Sequence, residues 1–383
     1  MDTRPPLLEV EDLKTHIFLD EGTVRAVDGC SFAIRRGETL GVVGESGCGK
    51  SITARSILRI VRKPGRIVDG KILWHRTPAS DGDGSQANVS DGDGPQGNVI
   101  DLTSLGEQSE EMRYIRGGEI AMVFQEPMSS LSPVHTIGNQ IMEVILLHQA
   151  VSKAEAREKT LLVLKQVGMP QPSRIIDRYP HQLSGGMRQR AMIAMALSCH
   201  PDLLIADEPT TALDVTTEAQ ILTLMRTLQS ELGMAIMFIT HNLGVVAQMT
   251  ENVIVMYMGR VVERADVDTL FHDPKHPYTI SLLRSIPRLG SSEQGPLAAI
   301  KGSVPDPYSR VSGCPFHPRC PSFMPGLCDT IVPQETTIGG DSTHTVRCHL
   351  YPGSIPLVAT RSNGNEAVVA GERGAPRARE VGS

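Results

Sequence analysis

Apolar and polar positions alternate over the first part of the chain and then condense into short unbroken apolar runs. Leu7 to Phe18 and Val24 to Ile34 alternate loosely around Asp20-Glu21-Gly22, which predicts a hairpin of half-exposed antiparallel strands. Thr39-Leu40-Gly41-Val42-Val43 is apolar almost throughout and predicts a buried strand, as do Ile120 to Phe124, Leu203 to Ala206 and Ala235 to Thr240. Helical spacing runs through Ile52 to Leu58. It returns over Thr136 to Val167, with Ile137, Ile141, Ile145, Leu161, Leu162 and Leu164 as inward candidates. Ser184 to His200, rich in Ala and Met, and Glu218 to Leu232 predict further helices, and Val253 to Met258 with Arg260 to Glu263 predicts a closing hairpin. Strands alternating with helices give an α/β class, a mostly parallel sheet covered on both faces. Beyond about residue 264 prolines multiply and periodicity weakens, and residues 354–383 read as a solvated, disordered tail.

One stretch breaks this pattern. Ser80 to Val89 is followed by a near-duplicate decapeptide, Ser90 to Val99. Its Asp-x-Asp-Gly runs match calcium-ligand wording, but no Glu stands at the offset for a bidentate ligand. Glycine-rich and with almost nothing to bury, residues 80–99 are expected to form a flexible surface insertion.

Composition narrows the partners. Aromatic residues make up 4%, too few for a base-stacking platform, and the net charge is −6 with no basic block, so no nucleic acid is expected. Met1 to Val10 carries no apolar leader and no run of 18 apolar residues occurs, so a cytosolic protein is expected, one that docks on a membrane protein at most. Of seven cysteines, Cys30 and Cys199 read as small core residues. Cys314, Cys320, Cys328 and Cys348 crowd the tail, which in a cytosolic chain points to a metal site sooner than to disulfides.

The chemistry concentrates at Gly44-Glu45-Ser46-Gly47-Cys48-Gly49-Lys50-Ser51, a G-x-x-x-x-G-K-[ST] run with a strand before it and a helix after it. Gly44, Gly47 and Gly49 let successive N–H groups curl inward toward phosphate oxygens, and the following helix adds its positive dipole end. Lys50 supplies a point charge for the β- and γ-phosphates, and the Ser51 hydroxyl can ligate Mg²⁺. The loop is therefore expected to bind a nucleoside triphosphate. His16 and Phe18 are candidates either for contact with its base or for ordinary sheet packing. Cys48 stands at a tolerant loop position and is a candidate for thiol-reagent sensitivity. Asp202 to Pro209 is a strand delivering Asp207, placed to hold Mg²⁺, and Glu208, able to polarise an attacking water. In Leu183-Ser184-Gly185-Gly186-Met187-Arg188-Gln189-Arg190, Ser184 can cap the next helix, and Gly185-Gly186 leave N–H groups bare for a γ-phosphate.

With Gln125, Ala212-Leu213-Asp214 and His241, these motifs closely resemble the ATP-binding subunit of an ABC transporter; Met187 stands where that family most often has Gln. The resemblance implies a P-loop NTPase nucleotide-binding domain over residues 1–263: a mostly parallel sheet, an antiparallel β subdomain and a helical signature subdomain at about 127–190. It further implies that two such subunits sandwich two ATP molecules with Mg²⁺, each phosphate loop facing the other subunit's Ser184-Gly185-Gly186. His241 would contact the γ-phosphate, Asp214 would link the two sites, and Gln125 would sense Mg²⁺ and water. Glu126 to about Leu147 would receive a membrane subunit.

The tail narrows the resemblance. His276-Pro277-Tyr278-Thr279, Gly302 to Pro307 and Gly313 to Pro321 resemble the C-terminal extension of oligopeptide and dipeptide importer ATPases, here residues 264–353, so that the likeness covers about residues 7 to 352. It implies an ATPase peripheral to the cytoplasmic face of the membrane. Its partners would be two permease subunits, a second similar ATPase and, indirectly, an extracytoplasmic solute-binding protein. The four tail cysteines are spaced C-x5-C-x7-C-x19-C. Four thiolates suit an iron–sulfur cluster or tetrahedral zinc, and the family resemblance favours a four-iron four-sulfur cluster, with plain thiols as the third reading. His317, His344 and His349 are nearby substitute ligands. The alternative function is a soluble ABC-type ATPase of repair or translation, but such chains usually fuse two nucleotide domains or insert coiled coils, and this one has a single motif set and no heptads. A non-catalytic module retaining the fold is disfavoured by Glu208 and His241.

Overall fold

Two sheets organise the computed structural model, which describes residues 4–76, 99–126, 130–211, 213–285, 300–309 and 311–356. The expected hairpin is there: β1 (Pro6–Leu19) and β2 (Gly22–Arg35) run antiparallel from Leu19↔Gly22 back to Pro6↔Arg35. β3 (Thr39–Val43) then enters the second sheet and leads through the glycine loop into α1 (Lys50–Ile57). β4 (Gly65–His75) and β5 (Val99–Asp101) return to the first sheet, giving the order β2-β1-β4-β5. The duplicated insertion lies, apart from Val99, outside the described residues, as do residues 357–383 of the tail.

After α2 (Glu110–Tyr114) and β6 (Ile120–Val123), the long helical stretch is broken in two. α3 (Ile137–His148) is capped by Thr136. α4 (Lys153–Gln166) starts afresh from a capping box in which Ser152 and Glu155 exchange side-chain and backbone bonds. The box resets the phase, so Ala156, Thr160, Val163 and Leu164 face inward while Leu162, an expected inward residue, is 62% exposed. α5 (Gly185–Leu197), β7 (Leu203–Asp207), α6 (Val215–Leu232), β8 (Ala235–Ile239), α7 (Leu243–Met249) and the hairpin of β9 (Asn252–Tyr257) and β10 (Arg260–Asp266) complete the expected alternation.

β9, β3, β8, β7 and β6 are consecutive parallel neighbours. The period of two along a strand divides each apolar run between two cores. Leu204, Ala206, Ile236 and Phe238 join the cluster beneath α3, α4, α5 and α6, with Ile141, Ile193 and Leu222. Leu203, Ile205, Ala235 and Met237 face the opposite cluster, with Leu8, Ile57 and Trp74 from the antiparallel sheet and α1.

The described residues beyond 264 hold more regular structure than the weak periodicity there implies. α8 (Val267–His272) and α9 (Pro277–Arg284) are followed by β11 (Thr336–Ile338) and β12 (Asp341–Val346), and β12 pairs with β10 through Glu263↔Val346. The extension therefore continues the main sheet at its edge, in the order β11-β12-β10-β9. Its core is aromatic: Tyr278 stands 4.7 Å from Tyr257 and 5.4 Å from Phe316, centroid to centroid. His276 is buried at the start of α9, where Nδ1 accepts the Tyr278 N–H at 3.0 Å, and burial lowers its pKa to about 4. The unfolded chain takes up a proton near pH 6.5 that the folded histidine refuses, so stability falls as pH drops from 6.5 toward 4. Between pH 7 and pH 5 this residue should cost about 2 kcal/mol in denaturant titrations. His276→Asn, which keeps a capping acceptor, should flatten that slope; an unchanged slope would remove His276 as its source.

Candidate nucleotide site

The C-terminal ends of the parallel strands bring the predicted residues together. At the end of β3 the loop Gly44–Ser51 is closed by backbone contact: a Cβ on Gly44 would stand 2.3 Å from the Met256 carbonyl oxygen, and one on Gly49 2.2 Å from that of Ala26. Gly49 has φ +103, a left-handed value that a side chain resists. Lys50 is buried, and its Nζ donates to the carbonyls of Gly44 at 2.8 Å and Glu45 at 3.0 Å. Ser51 Oγ donates to Asp207 Oδ1 at 2.9 Å, joining the start of α1 to the end of β7. Burial raises the Asp207 pKa above the ordinary carboxylate value, opposed by the Ser51 bond.

Glu208 follows in a left-handed conformation, φ +48, held by its N–H donating to the Ile239 carbonyl at 2.9 Å. Such strain in a non-glycine residue needs surroundings that fix it. Here Oε2 accepts from Gln125 Nε2 at 2.8 Å and from Thr211 Oγ1 at 3.0 Å, and Oε1 lies 3.2 Å from His241 Nδ1. Gln125 comes from the end of β6, and His241 follows β8. Thr211 was invisible as a partner, since a Thr after Glu-Pro-Thr carries no spacing rule.

A second cluster forms at two helix N-termini. Ser184 caps α5 by accepting the Met187 N–H at 3.3 Å. Asp214 caps α6 by accepting from Thr217 N and Oγ1 at 2.9 and 2.7 Å, bonds that lower its pKa. Gly186 abuts the same turn: a Cβ there would meet Thr217 Cγ2 at 2.7 Å. Both helix dipole ends thus lie beside the bare Gly185-Gly186 backbone. Ala212 is outside the described residues.

Phe18 is 37% exposed and carries the Arg66 guanidinium 4.6 Å above its ring, a contact available to sheet packing. Cys48 is 4% exposed with its pKa raised by burial, which fits an incidental loop residue and gives no support to the side possibility of thiol-reagent sensitivity. Cys30 is buried as expected, whereas Cys199 is only part-buried.

The expected iron–sulfur cluster or zinc on Cys314, Cys320, Cys328 and Cys348 is not supported. Among the described residues no group of three or more His, Cys, Asp or Glu side chains is placed to hold a metal ion. Cys314 and Cys328 instead fill space in the extension's core beside Phe316 and Tyr278. Burial pushes the pKa of Cys314 up to about 11 and that of Cys348 up to about 12. The substitute histidines are engaged elsewhere: His317 with the Cys314 carbonyl, His344 with Glu263 and His349 with the Ile331 carbonyl.

Comparison with known proteins separates the two halves. Residues 27–211 match the ABC transporter family model and residues 262–328 match the model for the oligopeptide/dipeptide transporter C-terminal region. Oligopeptide transport ATP-binding protein AppD of Bacillus subtilis is 49% identical over 346 residues, covering 90% of this chain and 97% of that protein. The chain belongs to the ATP-binding subunits of peptide ABC transporters. A probable peptide ABC transporter ATP-binding protein of Sinorhizobium fredii, y4tR, is also 49% identical, over 85% of this chain and 90% of its own length. Dipeptide transport ATP-binding protein DppD of Escherichia coli is 44% identical over 82% and 88%. Among solved structures, the ATP-binding cassette MJ0796, dimeric in a post-hydrolysis state with ADP and Pi, superposes with a TM-score of 0.55 at 25% identity, covering 68% of this chain and 99% of the cassette. As an ABC ATP-binding subunit the chain has the ABC ATPase fold expected of it, and these relatives support the transporter reading over a repair or translation ATPase.

Proposed function

We infer that this chain is the ATP-hydrolysing subunit of an importer for peptides or related small solutes. The carrying observation is the convergence on Asp207 and Glu208 of Ser51, Gln125 and His241 from separate strand ends, at 2.9, 2.8 and 3.2 Å. The N–H groups of Gly44 to Ser51 and the start of α1 would receive the β- and γ-phosphates, with Lys50 moving from the loop carbonyls onto them. The Ser51 hydroxyl and the Asp207 carboxylate suit Mg²⁺, a hard cation that prefers oxygen donors, and Gln125 reaches the same edge. When bound, Mg²⁺ neutralises charge between the β- and γ-phosphates. Glu208 would take the proton from the attacking water while Gln125, Thr211 and His241 fix its carboxylate. Ser184, Gly185, Gly186 and Asp214 would meet the nucleotide bound to a second, similar ATPase subunit.

Residues 1–263 would form the nucleotide-binding domain and 264–353 the extension. No helix among the described residues is long and apolar enough to cross a membrane. As its likeness to peptide-transport ATP-binding proteins supports, the chain would couple to two permease subunits and lie peripheral on the cytoplasmic face. Purified protein should hydrolyse ATP with Mg²⁺, and Lys50→Ala should lower turnover by about a hundredfold or more. Reconstituted with its permeases and binding protein, it should drive ATP-dependent accumulation of a labelled peptide in vesicles. Absence of any ATP turnover in that complex would overturn the reading.

A further inference from the structure

Glu45, the second residue of the phosphate loop, is fixed on every polar group. Its carbonyl accepts from Lys50 Nζ at 3.0 Å and from the Cys48 N–H at 3.3 Å, both within the loop. Its N–H donates to Tyr278 Oη at 2.8 Å, and its carboxylate accepts a two-pronged grip from Arg319, Nη1 to Oε2 at 2.7 Å and Nη2 to Oε1 at 3.0 Å. Tyr278 and Arg319 both belong to the extension, 233 and 274 residues downstream.

These contacts differ from a surface ion pair. The Arg319 side chain is 4% exposed, with Nε donating to the Lys301 carbonyl at 3.2 Å and Nη1 to Tyr257 Oη at 3.3 Å. Tyr278 is fully buried among Tyr257 and Phe316. A planar fork held this way fixes the carboxylate's orientation as well as its charge. The turn that carries Arg319 is seated on the thiol-lined core: the Cys314 N–H donates to the Cys328 carbonyl at 2.7 Å, and that of Arg319 to the Phe316 carbonyl at 3.0 Å. Elsewhere the loop is held by backbone contact at Gly44 and Gly49 and by the Cys48 carbonyl, which accepts the Gly259 N–H at 2.9 Å, and its freest point is Gly47. Gly47 has φ +80, and a Cβ there would meet nothing within 4 Å. A glycine-rich segment left to itself must lose its backbone freedom when phosphate binds, which weakens binding.

We propose that Arg319 and Tyr278 are positioning residues for the nucleotide: the extension holds Glu45 from two sides and so keeps the phosphate loop in its binding shape. The proposal rests on the ATPase reading. Because the loop contacts phosphate in ground and transition states alike, losing its order weakens binding more than it slows chemistry. In the full-length protein, Arg319→Ala should raise the Kd for Mg-ATP by calorimetry, and the KM, about tenfold, with kcat changed less than about twofold. Hydrogen exchange at Gly44 to Ser51 should quicken without nucleotide. Arg319→Lys should restore only part of the affinity, since an ammonium cannot grip both carboxylate oxygens as a fork does. Tyr278→Phe, which keeps the buried ring, should raise Kd about threefold with a melting temperature lowered by no more than a few degrees. Should Arg319→Ala fail to fold, the Lys and Phe variants carry the test. Wild-type protein that binds no ATP overturns both readings. Wild-type binding, with folded Lys and Phe variants that match it in affinity and loop exchange, overturns the positioning role alone and leaves Arg319 as a docking contact of the extension.

Discussion

Glu208→Gln is expected to leave ATP binding within about twofold of the wild type while slowing hydrolysis by about 10²- to 10⁴-fold, the range a positioned general base contributes. The substitution is isosteric, and its amide oxygen can still accept from Gln125 Nε2 and Thr211 Oγ1, which bond Oε2 at 2.8 and 3.0 Å. The left-handed backbone at φ +48 and the N–H bond to Ile239 do not depend on the charge. What disappears is the basic carboxylate 3.2 Å from His241 Nδ1. Binding measured by a fluorescent nucleotide and turnover measured by phosphate release therefore separate. The variant should also accumulate as an ATP-held dimer in size-exclusion chromatography, because the sandwich forms and is not dissolved by hydrolysis. Full turnover by the variant would sink the general-base assignment. A matching loss of ATP affinity would recast Glu208 as a binding residue.

Much of the frame could be read along the chain because its signals are local. β3, β7 and β8 announced themselves as apolar runs between turn residues, which is how strands buried on both faces look. Gly44 to Ser51 could be read because backbone curvature and charge are needed at fixed spacing. The sequence pattern failed where a partner is distant. Across Thr136 to Val167 the helical spacing runs on through the break, which is marked only by the Ser152 and Glu155 capping box. β11 and β12 are short, polar strands whose identity comes from pairing, β11 with β12 and β12 with β10, so their composition reads as loop. The four crowded thiols suggested ligands by their count. Cys314 and Cys328 are buried beside Phe316 and Tyr278 as packing residues, a distinction that spacing does not carry. Tyr278 and Arg319 stand in motifs that carry the family resemblance and nothing about spacing ties them to Glu45; that reach is a property of the folded edge.

The largest expected loss of stability falls on the same edge. Glu263→Ala should destabilise the protein by about 3–5 kcal/mol, as the removal of one partner from a buried hydrogen-bonded pair does. Glu263 lies on β10 at 1% exposure, and its carboxylate ties two parts of the extension, the Lys275-His276 turn and β12, to the sheet. Oε1 accepts from the Lys275 N–H at 2.7 Å and from His344 Nε2 at 3.0 Å, and Oε2 accepts from the His276 N–H at 2.9 Å. Alanine would leave two backbone donors and a histidine that is 4% exposed without an acceptor, each a desolvated polar group. Glu263→Gln keeps one acceptor oxygen and turns an amide N–H₂ toward a donor, so it should cost less, about 1–3 kcal/mol. Denaturant titration at pH 7 measures both, and hydrogen exchange at β12 locates the loss. A cost below about 1 kcal/mol for alanine would mean that the aromatic cluster of Tyr257, Tyr278 and Phe316, not this carboxylate, holds the edge. A loss confined to β12 and α9 would mean that the extension opens ahead of the parallel sheet. In that event Arg319 and Tyr278 would release Glu45 while the strands carrying Asp207 and Gln125 stay folded, and nucleotide affinity should fall before the parallel core unfolds.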